Sequence, residues 1–187
     1  MKIICINGQG GVGKDSFVNF CGSERQGVFN YSMVDKVKVI ARRAYWDGSK
    51  DLRDRKFLSD LKDLLDEYSD FSFRDVEERI GSSLRYYNRC WRDFSKGDLL
   101  LEPKEPIFFV HAREPKDLKR WKDEHGAKAL LIQRPNIEGV YGNHADDQVF
   151  NYSYDYTLYN TGTLDELYEL AQSFIKQIRE EEWESTI

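Results

Sequence analysis

Nine residues near the amino end, Gly8-Gln9-Gly10-Gly11-Val12-Gly13-Lys14-Asp15-Ser16, limit the folds open to this chain more than any other stretch. They follow Lys2 to Asn7, a strand-length run that is apolar on both faces, as in a strand buried inside a parallel sheet. A helix is expected from about Lys14. Strand, glycine-rich loop and helix, in that order, make a phosphate cradle. Gly8, Gly10, Gly11 and Gly13 let the backbone turn tightly and aim successive N–H groups, that of Val12 among them, at a phosphate. The helix amino terminus adds partial positive charge. Lys14 is placed to reach the β- and γ-phosphates as a compact cation.

The usual residue after such a lysine is Ser or Thr, whose hydroxyl binds Mg²⁺. Here Asp15 stands there, with Ser16 next. Asp15 reads either as a Mg²⁺ ligand, since Mg²⁺ favours carboxylate oxygen, or as an ordinary first-turn helix acid. Ser16 is a candidate donor to the α-phosphate. A second apolar run, Ile107 to Val110, leads into His111-Ala112-Arg113-Glu114. Proteins with such a loop often hold the metal through an Asp at the end of a second strand, and His111 occupies that position. The metal carboxylate is therefore expected at Asp15, with no catalytic role for His111. Glu114 reads as a partner of the metal's water or as a helix-start acid.

Alternating strands and helices set the fold class as α/β, with a parallel sheet covered on both sides. Further strands are expected over Val28 to Met33, Ala127 to Gln133 and Tyr154 to Tyr159. Val34 to Tyr45 and Phe57 to Tyr68 read as helices, and Ser72 as the cap of another. Pro115 and Gly126 bracket a helix. Thr163 and Glu166 form a capping box ahead of a long amphipathic helix. The 187 residues fit one domain. The net charge of −5 argues against a nucleic-acid polymer or an anionic membrane surface as partner. No apolar run is long enough to span a bilayer, and the amino end does not read as a signal peptide. Cys5, Cys21 and Cys90 make neither a disulfide framework nor a zinc pattern, which suits a reducing, cytoplasmic setting.

The Gly-Lys-Asp loop followed by Ser resembles that of the phage and bacterial deoxynucleoside monophosphate kinases. These belong to a wider set of small kinases that includes dephospho-CoA kinase and adenylate kinase. Phe109 to Glu114 looks like their strand ending in Asp-x-Arg, with the Asp changed. Asp155 to Leu167 is similar to their last strand, adenine-side loop and final helix. The resemblance implies a single domain over 1–187, built on a five-stranded parallel sheet in order 2-3-1-4-5. It also implies a helical acceptor-binding insert over about 34–105 and a lid over about 134–150. ATP would lie on the loop with its adenine near Asn160, Gly162 and Thr163, and Mg²⁺ at Asp15. Arg134 would open the lid and, with Lys14 and Arg113, offset charge on the transferring group. The lid holds no Lys or Arg beyond Arg134, and carries His144, Asp146 and Asp147 instead. The same loop also occurs in animal phosphomevalonate kinases, so it does not define the acceptor.

Between Lys36 and Lys62 stand nine cations against four acids. Most suit a solvated face, but two or three aimed inward would hold an acceptor phosphate. Arg matches phosphate geometry, so Arg42 and Arg55 are the candidates, beside Arg113. Tyr45 and Trp46 read as core residues or as a base-stacking pair. Asp35 is the acid placed to serve an alcohol acceptor as a base. The expected activity is ATP-dependent transfer to a (deoxy)nucleoside monophosphate by a monomer or homodimer. The alternatives are a kinase for another small phosphorylated or alcoholic metabolite, and an ATP-binding module with little turnover. No Asn-Lys-x-Asp sequence occurs, which disfavours a GTPase.

Overall fold

The computed structural model describes residues 1–49, 51–94, 104–135 and 149–183, with the side chains of 92–94 excepted. Five strands, β1 (Lys2–Asn7), β2 (Val28–Ser32), β3 (Ile107–His111), β4 (Lys128–Gln133) and β5 (Tyr156–Tyr159), form one parallel sheet in the order β2-β3-β1-β4-β5. This is the predicted order. Among the described residues six α-helices accompany it: α1 (Lys14–Cys21), α2 (Asp35–Arg43), α3 (Leu52–Ser69), α4 (Phe71–Phe94), α5 (Pro115–His125) and α6 (Leu164–Glu180). No helix among the described residues is long and apolar enough to cross a membrane.

Strand pleat divides the core in two. Ile3 and Cys5 of β1, with Phe29, Tyr31, Phe108 and Val110, face Phe73, Val76 and Ile80 of α4 and Leu118 and Trp121 of α5. Ile4 and Ile6, with Phe109, Leu130 and Ile132, face Phe17 of α1 and Leu167, Phe174 and Ile178 of α6. All six residues of β1 are buried, because helices close both faces of the central strand. Lys2 is buried with them. Its ammonium donates to the carbonyls of Ile178 (2.6 Å) and Glu181 (2.7 Å), satisfying the end of α6. From β3 the chain crosses to β4 on the other side of β1. The carboxyl end of β1 therefore lies at the point where strand order reverses, the usual place for a ligand crevice in such sheets.

Several boundaries differ from the sequence expectations. β4 starts at Lys128 and β5 at Tyr156. Asp155 lies before β5 and accepts from Ala129 N with its carboxylate (2.7 Å). α3 begins five residues before Phe57, because the Asp51 side chain caps it by accepting from Asp54 N (2.8 Å). Ser72 is no cap. α4 starts at Phe71, after Asp70 turns through the left-handed region, and Ser72 N donates to the Asp66 carboxylate instead. Tyr45 is not a core residue. It sits at φ 63° just past α2 and is 97% exposed.

The apolar residues of α3 include exposed Leu64 and Tyr68, while its buried members are Asp54 and Lys62. Lys62 pins this helix to the β3–α5 corner. Its ammonium lies 2.8 Å from Asp66, 3.1 Å from Asp117 and 3.6 Å from Glu114. These carboxylates hold the ammonium charged, well above the usual lysine range, against the opposing effect of burial. Removing the cation strands three mostly buried acids. Lys62→Met is expected to cost about 3 kcal/mol, read as a lower free energy of urea unfolding. A loss within 0.5 kcal/mol, about what a surface change costs, would refute the pinning role.

Candidate phosphate-binding site

The loop between β1 and α1 is clamped at both ends by buried amides. Asn7 Oδ1 accepts from Gly8 N (2.8 Å), while its Nδ2 donates to the Arg113 carbonyl (3.0 Å) and the Tyr154 hydroxyl (2.8 Å). Asn160 is buried after β5 and donates from Nδ2 to the Val12 carbonyl (2.9 Å). Two glycines are required by the path. Gly8 has φ 142°, and a Cβ there would run into the Ile132 carbonyl oxygen. Gly13 has φ 94°, with Asn160 Nδ2 2.8 Å from where its Cβ would lie. Gly13 is also the N-cap of α1 and supplies no side-chain acceptor, so no cap competes with an anion for the first amides of the helix.

Lys14 is buried and folded back over this loop, donating to the carbonyls of Gly8 and Gln9, the latter at 2.7 Å. Arg55, reaching from the first turn of α3, places Nη1 3.7 Å from the position of a Gly10 Cβ. A cation expected on the acceptor side thus lies against the donor loop. Asp15 is on the first turn of α1 with its side chain 88% exposed, and its Oδ1 is 3.7 Å from His111 Nε2. Ser16 is half-buried beside it. Arg113 is half-buried at the β3–α5 corner, close enough for its charge to act on His111. Loop, Lys14, Asp15, Arg55, His111 and Arg113 therefore cluster around the carboxyl ends of β1 and β3.

Other candidates stand elsewhere. Arg42 is on the exposed last turn of α2. Arg134 is exposed at the end of β4, at one side of a cavity of about 290 Å³ that Gln9, Val12, Ile132, Val149 and Phe150 also line. The lid residues 136–148, with His144, Asp146 and Asp147, lie outside the described residues. Asn160, Gly162 and Thr163 carry visible structural duties. Asn160 latches the loop, Thr163 caps α6 by accepting from Glu166 N, and the Glu166 carboxylate fills the space a Gly162 side chain would need. Asp35 begins α2. Its Oδ2 accepts from Ser32 N (3.0 Å) and from both Nη atoms of Arg79 (3.1 and 3.2 Å). Glu114 pairs with Lys62 and Lys116, the latter at 2.7 Å.

Two residues that hold the candidates in place were not read from the sequence. Asn7 is one, and its signal is a polar residue closing a fully apolar strand immediately before the glycines. Arg79 is the other. It stacks on the Tyr31 ring at 4.3 Å, and nothing local in an ordinary charged helix face marks it out.

His111 is the strained group electrostatically. Its buried Nε2 has no hydrogen-bond partner among the described residues. Burial lowers its pKa to about 4. Asp15 opposes that shift, and the charges of Lys14 and Arg113 reinforce it. The unfolded chain takes up this proton near 6.5 and the folded one near 4, so the imidazole favours folding fully above pH 6.5. That contribution is lost as pH falls toward 4, about 3 kcal/mol in all. His111→Gln is expected to flatten that part of the pH dependence of urea unfolding between pH 7.5 and 4.5. Parallel profiles for the two proteins would refute it. No model of a known protein family matches the chain, and no curated protein does.

Proposed function

We propose that the protein transfers the γ-phosphoryl group of ATP to a small phosphorylated acceptor, of which a (deoxy)nucleoside monophosphate is the first choice. The observation that carries this reading is the loop itself. An uncapped helix start and left-handed glycines face a buried lysine whose ammonium is held by two loop carbonyls, with a guanidinium close above. Such a constellation binds a polyphosphate through oriented amides and two cations.

In this reading a phosphate oxygen of the acceptor attacks the γ-phosphorus in line. The bond from that phosphorus to the β-bridging oxygen breaks, leaving ADP and a nucleoside diphosphate. Lys14 leaves the Gly8 and Gln9 carbonyls for the phosphates. Arg113 and Arg55 stand where charge gathers, and Arg134 is carried at the mouth of the lid. Asp15 fits a divalent cation: it is a solvent-facing carboxylate at the loop, next to an orphaned buried nitrogen. Mg²⁺ held there supplies charge neutralisation to the β- and γ-phosphates.

Asp35 bears on the acceptor's charge. An alcohol needs a base, and the Oδ2 of this carboxylate is already taken up by Arg79 and Ser32 N. A phosphate oxygen is already anionic near neutral pH and needs positioning instead. The buried thiols Cys5 and Cys21 suit a reducing cytoplasm.

The test is ATP consumption against a panel of nucleoside monophosphates, dephospho-CoA, phosphomevalonate and free nucleosides. Turnover with a monophosphate is expected, falling at least about 100-fold in Lys14→Met. ATP binding without turnover for any acceptor would favour a regulatory module, and turnover confined to alcohols would overturn the acceptor class. Asp15→Ala is expected to weaken Mg²⁺·ATP binding much more than metal-free ATP binding in calorimetry. Equal losses would remove Asp15 from the metal.

A further inference from the structure

His111 Nε2 presents an account that has to close. Leaving a buried polar nitrogen unpaired is costly, and among the described residues this one has no partner at the strand end beside the phosphate loop. We propose that this nitrogen is a metal ligand: His111 Nε2 and the Asp15 carboxylate together hold the divalent cation of the bound nucleotide, and the site prefers Mn²⁺ to Mg²⁺. The inference rests on the nucleotide-binding reading above and names the cation that site selects.

Three observations lead there. First, the separation fits a shared ion. Nε2 and Asp15 Oδ1 are 3.7 Å apart, too far for a hydrogen bond. Yet this is within twice a metal–ligand bond of about 2.1 Å, so one ion can touch both atoms. Second, the two partners differ in freedom in a useful way. The imidazole is only 12% exposed at the end of a buried strand, whereas the Asp15 side chain is 88% exposed. The carboxylate is thus the partner freer to move as an ion binds. Third, the imidazole nitrogen has no hydrogen-bond partner among the described residues, so the lone pair of a neutral ring is open to an ion. A neutral ring is the form that ligates.

The donor set then ranks the metals. Mg²⁺ is hard and takes oxygen nearly exclusively. Mn²⁺ keeps the octahedral coordination that phosphate oxygens and waters require, and also accepts imidazole. Zn²⁺ fits less well, since closed tetrahedral sites use several nitrogen or sulfur ligands and the pair named here offers one nitrogen. Replacing an acid by His at the strand end thus exchanges one oxygen ligand for nitrogen while Asp15 keeps the carboxylate charge.

The experiment is pulsed EPR on the full-length protein with Mn²⁺·ADP, paired with equilibrium dialysis of Mn²⁺·ADP and Mg²⁺·ADP. The wild type is expected to show modulation from one directly bound histidine nitrogen, changing from the ¹⁴N to the ¹⁵N pattern on histidine labelling. It is also expected to bind the Mn²⁺ complex about tenfold more tightly than the Mg²⁺ complex. His111→Asp should abolish the nitrogen signal and reduce the preference to near parity, while His125→Gln keeps both. The isotope result is read on the wild type, so it stands whether or not His111→Asp folds. Mn²⁺·ADP bound without a histidine nitrogen signal overturns this inference and leaves nucleotide binding intact. Failure to bind ADP with either metal overturns the nucleotide reading and the inference with it.

Discussion

The site depends on one side chain, the Asn7 amide. It is buried at the end of the central strand, where an unpaired amide would be costly, and it is paired three times over. Its partners belong to three separate stretches: the first loop residue, the β3–α5 corner and the segment just before β5. Tyr154 extends the chain by donating to the Val149 carbonyl (2.6 Å). The start of the loop, the corner bearing Arg113 and the residues beyond the lid are thereby set against one another by hydrogen bonds, which tolerate little angular error. Asn160 does the same at the far end of the loop through Val12. Between these two fixed points the glycines have one path.

A two-faced sheet makes such placement possible. β1 pairs on both edges and is covered on both faces, so its carboxyl end is held from four directions. Loops at the ends of such strands carry chemistry while the strands carry stability. The helical insert between β2 and β3 is attached differently. Within it Val37 and Ala41 of α2 are buried, whereas α3 buries Asp54 and Lys62 and is tied to the β3–α5 corner by the pairs of Lys62 with Asp117 and Glu114.

Much of this was legible in the chain, for reasons that differ by element. The loop was readable because glycines at left-handed positions have no substitutes, and the capping box at Thr163 because its two bonds are local. β1, β3 and β4 were readable because burial on both faces leaves an apolar run. What escaped was non-local. Nothing near Arg55 says that its guanidinium crosses from α3 to Gly10. Nothing near Ser72 says that an acid six residues earlier takes its amide. The α3 stripe reads as a core face, but the helix lies outside α4 and buries a lysine instead. A polar side chain that is buried because of a distant partner has no periodic signature.

The pin at Lys62 also makes α3 a lever. Arg55 lies seven residues before it, about 10 Å along the helix axis, with its tip over the phosphate loop and its fulcrum in the β3–α5 corner. A pivot of about 10° about that fulcrum moves the guanidinium by roughly 2 Å, the difference between hovering above a phosphate oxygen and bonding to it. The fulcrum acids Glu114 and Asp117 sit directly beyond Arg113 in the chain. The anchor of α3 and the corner that bears Arg113 are therefore one and the same, so the position of Arg55 is referred to the strand end rather than to its own helix.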